Sequence, residues 1–168
     1  MEYRRVSGRT GPGAGRPAKL YRRAATEVAV SLPPRSYDLG GTLLADALAA
    51  TPSKAAREAL ARTAKERGRA LGGGGAVLLP GKASRKARRD AVLAALTAQG
   101  YEPVVQRDAI RLRNCPFHAL AERQRTLVCG MNLSLLEGLL EGLAAADYEA
   151  RLAPEPGWCC VAFRSRSR

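Results

Sequence analysis

The order of helical and strand patterns in the second half of the chain limits the fold more than any other sequence feature. Ser84 is a typical N-cap for a helix that runs to about Gln99, and Gly100 stands where helices commonly end. Two strand patterns, two helical patterns and two further strand patterns follow. Their ranges are 101–106, 109–114, 116–125, 131–146, 148–152 and 159–164. The order αββααββ predicts an α+β domain with a four-stranded, largely antiparallel sheet.

The second strand of this series has the clearest alternation. Within 109–114, apolar and charged residues take turns, so we expect Ile110 and Leu112 on the core side of the sheet. Arg111 and Arg113 are then expected to face outward. The predicted hairpin therefore has one buried face and one exposed face.

Two helical patterns precede this domain. The first covers 37–50, and the second begins after Ser53, which is a suitable N-cap. The apolar face of the second helix is thin, so we expect the helix to be half exposed or to form a dimer contact. The glycine run Gly72–Gly75 then predicts a break between sub-regions.

The first 23 residues have the pattern of a basic hairpin. Segments 2–6 and 19–23 resemble short strands, and the Gly- and Pro-rich stretch 7–18 between them is not helical. An arginine-bearing tip of this kind suits a DNA minor groove, where the negative potential attracts Arg. The alternative is a disordered basic N-terminus.

The positive charge of the chain is unevenly placed. The chain has 28 Lys and Arg against 15 Asp and Glu, a net charge of +13. Residues 1–23 carry seven basic residues against one acid, whereas residues 101–163 carry six against eight. This pattern predicts a polyanionic partner for the front, most simply double-stranded DNA, although an arginine bias of a GC-rich genome is the alternative. The candidate DNA contacts are Arg4, Arg5, Arg9, Arg16, Lys19 and Arg22.

The sequence also bears on the compartment. No segment resembles a signal peptide, and no apolar run approaches the roughly 20 residues that cross a bilayer. We therefore predict a cytoplasmic protein that does not contact a membrane. In that compartment thiols stay reduced, so clustered cysteines favour a metal site over disulfides.

All four cysteines and the only histidine lie in the last third of the chain. Cys115 and His118 flank the start of one predicted helix, Cys129 precedes the next, and Cys159 and Cys160 open the last predicted strand. Three cysteines with an optional histidine suit tetrahedral zinc or an iron–sulfur cluster. Neighbours on a strand point to opposite faces, so Cys160 is expected outside the site. The alternative is that these cysteines are small buried apolar residues.

Enzymatic chemistry is not expected. The chain has one histidine and no paired carboxylates in a catalytic motif. A nucleophile–base pair of Cys115 and His118 is disfavoured because three residues across a helix cap rarely provide the required geometry.

Five motifs of the chain are distinctive when taken together. They are Arg-Asn-Cys-Pro-Phe-His at 113–118, Leu-Val-Cys-Gly-Met-Asn-Leu at 127–133, the Leu/Glu/Gly run at 135–142, Gly-Trp-Cys-Cys-Val at 157–161 and Gly-Arg-Pro-Ala-Lys-Leu-Tyr at 15–21. These motifs resemble those of one family of bacterial winged-helix transcriptional regulators, of the arsenic-repressor-like group. They are similar to those of the iron–sulfur-sensing repressors of the suf cluster-assembly operon. The resemblance implies a homodimeric DNA-binding regulator with an iron–sulfur cluster, or alternatively zinc. The implied ligands are Cys115, Cys129 and Cys159, with either His118 or an exogenous ligand as the fourth.

The chain departs from that family in two ways. It starts at the wing hairpin, without the preceding helix-turn-helix, and it has Arg111 where those repressors tend to carry a further cysteine. The expected domains are a wing hairpin of a truncated winged-helix domain over 1–24, a helical linker and dimerisation region over 25–75, and an α+β cysteine-containing sensor domain over 76–168. The alternative function is a metal- or cluster-binding sensory domain without sequence-specific DNA binding, because a wing alone does not read major-groove base edges.

Overall fold

The structure divides into two compact units. It is a computed structural model, and it describes residues 2–4, 8, 11–13, 16, 18–21, 36–51, 53–74 and 83–166. The first unit covers Met1–Ser36 and the second covers Tyr37–Arg168. Each unit is described by itself below.

The described part of the first unit is a β-hairpin. Strand β1 (Glu2–Arg4) pairs with β2 (Ala18–Leu20) in antiparallel fashion, and Tyr3 lies opposite Lys19. Glycines at 11 and 13 have positive φ angles in the connecting segment, a conformation that glycine adopts without strain. The expected pairing is therefore observed, but β2 ends before Tyr21, which is exposed.

The described part of the second unit contains five helices. Their bounds are α1 (Tyr37–Ala50), α2 (Lys54–Gly73), α3 (Arg85–Ala98), α4 (His118–Arg123) and α5 (Arg125–Gly142). The two expected N-caps are confirmed, because Ser53 Oγ accepts from the Ala56 amide at 3.2 Å and Ser84 Oγ accepts from the Ala87 amide at 3.1 Å. Among the described residues, no helix combines the length and apolar character needed to cross a membrane.

The sheet of the second unit has four antiparallel strands. They are β3 (Pro103–Gln106), β4 (Ala109–Leu112), β5 (Tyr148–Leu152) and β6 (Val161–Ser165), in the order β3-β4-β6-β5. The predicted α+β class is thus confirmed. As expected, Ile110 and Leu112 are buried, and they share the core with side chains from α3 and α5 such as Leu96 and Leu136.

Helices α2 and α5 make the closest contact in the second unit, and glycines allow it. A Cβ atom at Gly68 would collide with the Leu135 carbonyl oxygen, and one at Gly138 would collide with the Lys65 carbonyl oxygen. The run expected to act as a break is in part a packing surface, since Gly72 is still helical and buried.

Two further element bounds differ from the sequence-based expectation. Helix α5 begins at Arg125 rather than near Met131, so Cys129 lies within the helix instead of before it. Strand β6 begins at Val161, so Cys159 and Cys160 lie in the loop that precedes the strand. Both differences change the geometry of the cysteines.

Candidate functional site

The four cysteines come together from three separate segments of the second unit. The Cys159 thiol interacts with the side chains of Cys115 and Cys160, and Cys160 in turn interacts with Cys129. All four lie in the described part of the chain and are free thiols. We call these four residues the thiol cluster. It includes Cys160, which the sequence analysis expected outside the site.

Backbone contacts position the two loops that carry three of these thiols. The Cys159 amide donates to the Leu112 carbonyl at 2.8 Å, which ties the loop before β6 to the end of β4. The Cys115 carbonyl accepts from the His118 amide at 3.0 Å, and the side-chain Nδ2 of the neighbouring Asn114 donates to the Gly100 carbonyl at 2.7 Å. The cluster therefore lies where β4, the start of α4 and the loop before β6 converge, against the first turns of α5.

A buried asparagine links the cluster to the core. Asn132 is 1% exposed and lies three residues after Cys129 on α5. Its Nδ2 lies 3.5 Å from Cys159 Sγ and 4.0 Å from Cys115 Sγ, so the amide donates toward two of the four sulfurs. Tyr101 donates its hydroxyl to Asn132 Oδ1 at 2.5 Å.

Sequence reasoning did not find Asn132 or Tyr101. The available signal was a polar side chain in the apolar stretch that follows Cys129, at a spacing that shares its helix face. A buried amide has to find partners, and in this stretch the sulfurs and the tyrosine hydroxyl are those partners.

The pKa values of the cluster separate into one acidic thiol and two weakly acidic ones. Hydrogen bonding from Cys115 and Cys160, with help from the Val161 backbone and Asn132, holds the pKa of the Cys159 thiol far below its usual range. The same interaction with Cys159 raises the pKa of Cys115 and of Cys160, and burial raises both further. These shifts favour the thiolate form of Cys159 and the protonated forms of Cys115 and Cys160.

Tyr101 remains a hydrogen-bond donor in this environment. Burial raises the pKa of its hydroxyl, and the nearby cysteines raise it further. The protonated hydroxyl can therefore keep Asn132 Oδ1 occupied, which leaves the Asn132 NH₂ group facing the sulfurs.

His118 lies outside the thiol cluster. Its side chain is 64% exposed on α4, and its Nε2 lies 3.3 Å from a Glu122 carboxylate oxygen one turn later. The structure therefore brings together the three predicted cysteine ligands. The fourth side chain beside them is Cys160 and not His118.

The four sulfurs of the thiol cluster are neighbours, but they do not form a preformed metal site. Across the described ranges, no group of three or more His, Cys, Asp or Glu side chains is arranged to hold a metal ion as it stands. The donor chemistry nevertheless suits a thiophilic ion or cluster, because thiolates are its preferred ligands and an amide donor already faces the sulfurs. Binding would need the sulfurs to move around a common centre.

The predicted DNA contacts are only partly within the described residues. Arg16 and Lys19 are exposed, and Lys19 Nζ lies 5.2 Å from the centre of the Tyr21 ring. Arg4 belongs to β1, whose backbone alone is described. Arg5, Arg9 and Arg22 lie outside the described residues.

Comparison with known proteins does not assign this chain to a group. No protein-family model, no curated protein and no solved structure matches it.

Proposed function

We propose that this protein is a DNA-binding transcriptional regulator whose C-terminal domain binds an iron–sulfur cluster or a zinc ion, and that loading changes its affinity for DNA. The observation that carries the proposal is the convergence of four free thiols from three segments, with two of the thiols beside the Asn132 amide. Structural cysteines that act only as small buried residues need no such meeting point.

The ligand set we propose is Cys115, Cys129, Cys159 and Cys160. Four thiolates satisfy tetrahedral zinc and are also the usual ligands of [2Fe–2S] and [4Fe–4S] clusters. When bound, such a cluster supplies a redox-active or oxidant-labile centre. Asn132 would donate to ligand sulfurs, a contact that tunes the potential and orients the ligands.

Binding of a metal ion or an iron–sulfur cluster by the thiol cluster would change the shape of the domain. Zinc holds thiolate sulfurs at about 2.3 Å, so the Cys115 loop and the loop before β6 must close around a common centre against α5. Because the present arrangement does not hold an ion directly, the loaded and unloaded states differ in the positions of these segments. A regulator needs such a pair of states for one ligand to bias the binding of another.

The charge of the chain supports the DNA-binding half of the proposal. The net charge is +13, and the N-terminal hairpin presents Arg16 and Lys19 to solvent. Basic hairpins hold phosphates and enter minor grooves, which positions a protein on DNA. A homodimer would present two hairpins to one duplex.

The decisive experiment is anaerobic purification of the full chain, followed by measurement of iron, sulfide, zinc and visible absorbance. We expect either iron with sulfide and a broad absorbance near 400 nm, as is typical of such clusters, or close to one zinc per chain. A folded chain that is colourless and metal-free after anaerobic reconstitution with iron and sulfide, and after zinc addition, would refute the metal-binding proposal.

A second candidate is a metal-binding sensory domain without sequence-specific DNA binding. It is favoured by one observation: the described part of the first unit consists of β1 and β2, and a hairpin contacts phosphates more readily than it reads bases. Selection of duplexes from a random DNA pool separates the two. Enrichment of one sequence supports the regulator, and salt-dependent binding without enrichment supports the second candidate.

A further inference from the structure

The outer face of the sheet carries a group of cationic and aromatic side chains apart from the thiol cluster. Arg111 and Arg113 project from the end of β4 on the side opposite Ile110 and Leu112. Trp158, in the loop between β5 and β6, lies against both. The guanidinium carbons of Arg111 and Arg113 are 5.1 and 4.6 Å from the centre of the indole ring.

The side chain of Arg111 is more buried than is usual for an arginine. It is only 15% exposed, although alternation along β4 predicted an outward, solvated position. One nitrogen, Nη1, lies 2.7 Å from an oxygen of Glu155. The other two, Nε and Nη2, are buried and have no hydrogen-bond acceptor among the described residues.

Two unpaired donors on one buried guanidinium are costly and therefore informative. Buried N–H groups nearly always have partners, and a charged one left without an acceptor costs more than a neutral one. Nε and Nη2 form the edge of the guanidinium whose parallel N–H bonds match two oxygens of a carboxylate or phosphate. The Nε and Nη2 edge of Arg111 therefore suits a bidentate anion and has no acceptor among the described residues.

We propose that Arg111, Arg113 and Trp158 form a binding site for a phosphoryl group, carried either by a free phosphate compound or by a nucleic-acid backbone. The Nε and Nη2 edge of Arg111 takes two phosphoryl oxygens, Arg113 adds a second cation, and the indole offers a surface on which a base can stack. This site uses none of the four cysteine side chains and no residue of the N-terminal hairpin.

Glu155 acts in this proposal as an internal substitute for the ligand. Its carboxylate occupies only Nη1 of Arg111, and its side chain is 54% exposed, so it is free to leave. The loop that carries it contains Gly157 at φ +77°, a conformation suited to a sharp turn. The incoming phosphoryl group would displace the carboxylate from Nη1, and movement of this loop, which also carries Trp158, would uncover the Nε and Nη2 edge of Arg111.

The only tryptophan of the chain reports directly on this site. Fluorescence of the full chain would be titrated with sodium phosphate and with a single-stranded thymidine oligonucleotide, at an ionic strength held constant with sodium chloride. We expect a saturable change with at least one of the two. Saturation by both places a free phosphate in the site, and saturation by the oligonucleotide alone identifies a nucleic-acid backbone.

Charge-preserving variants separate this site from general attraction to a basic protein. Arg111→Lys should weaken binding by about tenfold, because lysine lacks the bidentate fork. Arg151→Lys, at an exposed position of β5, should bind as the original chain does. Glu155→Gln should bind several-fold more tightly, since the internal competitor is weakened, and this gain remains measurable even if Arg111→Lys folds poorly.

The proposal is overturned by any of three results. These are equal affinities of Arg111→Lys and Arg151→Lys, no gain with Glu155→Gln, or the same saturable response to sodium acetate as to phosphate and oligonucleotide. Metal content is measured on the same samples, so failure of this site is distinguishable from failure of the metal-binding proposal.

Discussion

The hydroxyl of Tyr101 donates to Oδ1 of Asn132 at 2.5 Å, and this contact determines which way the Asn132 amide points. With its oxygen occupied, the amide presents its NH₂ group to Cys159 and Cys115. Tyr101, which lies two residues before β3, thus orients the Asn132 side chain of α5 toward thiols from two loops. The thiol cluster is consequently part of the core hydrogen-bond network.

Removal of the Asn132 side chain should therefore destabilise the folded chain. Asn132→Ala removes the acceptor of the buried Tyr101 hydroxyl and one of the donors to Cys159, and we expect a loss of about 2–3 kcal/mol in the free energy of unfolding. Urea denaturation measures the loss. Tyr101→Phe is the matched variant, and the double variant should be less destabilised than the sum of the two. Additive losses would show that the two side chains are not coupled.

The charge on Cys159 predicts a pH-dependent signature of the unloaded protein. Folding lowers the pKa of this thiol from an ordinary value of about 8.5, so its contribution to stability is complete above that pH and declines as the pH falls toward the folded pKa. The raised pKa values of Cys115 and Cys160 have the opposite sign and reduce stability as the pH rises above about 8.5. Stability of the metal-free chain should therefore pass through a maximum near this pH.

The same charge is directly visible by ultraviolet absorbance. A thiolate absorbs near 240 nm, and Cys159 of the metal-free chain should contribute such a band at neutral pH, where an ordinary cysteine is only a few per cent ionised. Cys159→Ser should remove the band and flatten the rise of stability between acidic and neutral pH. His118→Ala should preserve both, and an unchanged band in Cys159→Ser would place the charge elsewhere.

The identity of the fourth ligand can be settled by paired substitutions. Cys160 belongs to the thiol cluster and His118 is exposed beside Glu122, so Cys160→Ser should lower metal content as strongly as Cys129→Ser does. His118→Ala should retain the metal content of the original chain. Metal analysis after anaerobic reconstitution measures this, and the reverse order of the two variants would restore the histidine assignment.

The close contact of α2 and α5 gives a stability prediction with an internal control. Gly138→Ala puts a methyl group against the Lys65 carbonyl oxygen, which neither helix can move aside, and should cost about 1–3 kcal/mol or more. Gly130→Ala, in the same helix, meets open space and should be neutral or stabilising by up to about 1 kcal/mol. Thermal and urea denaturation compare the two. Similar losses for both would mean that the helices are not in close contact.

The N-terminal hairpin should contribute to DNA binding through charge. Lys19→Ala should weaken duplex binding for all sequences and should lower the slope of log K against log salt by about one. Lys54→Ala, at a highly exposed position at the start of α2, removes the same charge from the second unit and should leave that slope unchanged. Equal effects of the two variants would indicate nonspecific attraction to the whole chain instead of contact at the hairpin.

Local features of the fold were predictable because they depend on neighbours in sequence. Ser53 and Ser84 cap helices through amides three residues away, and alternation along β4 buries Ile110 and Leu112. The start of α5 was not predictable, because residues 125–130 carry no strong helical signal and are helical where α5 runs alongside α2. Arg111 was expected in solvent because alternation contains no information about a distant loop that covers it with Trp158.

By itself, the sequence determined the α+β class, the caps, the basic front and the three segments that contain the cysteines. Only the tertiary structure decided which of those side chains meet. Cys160 joins the thiol cluster because β6 begins one residue after it, which leaves it in a loop where strand alternation does not apply. His118 lies outside the thiol cluster because its side chain is on a solvent-exposed face of α4. Such choices depend on where loops and helices pack, and contacts between residues far apart in the chain set that packing.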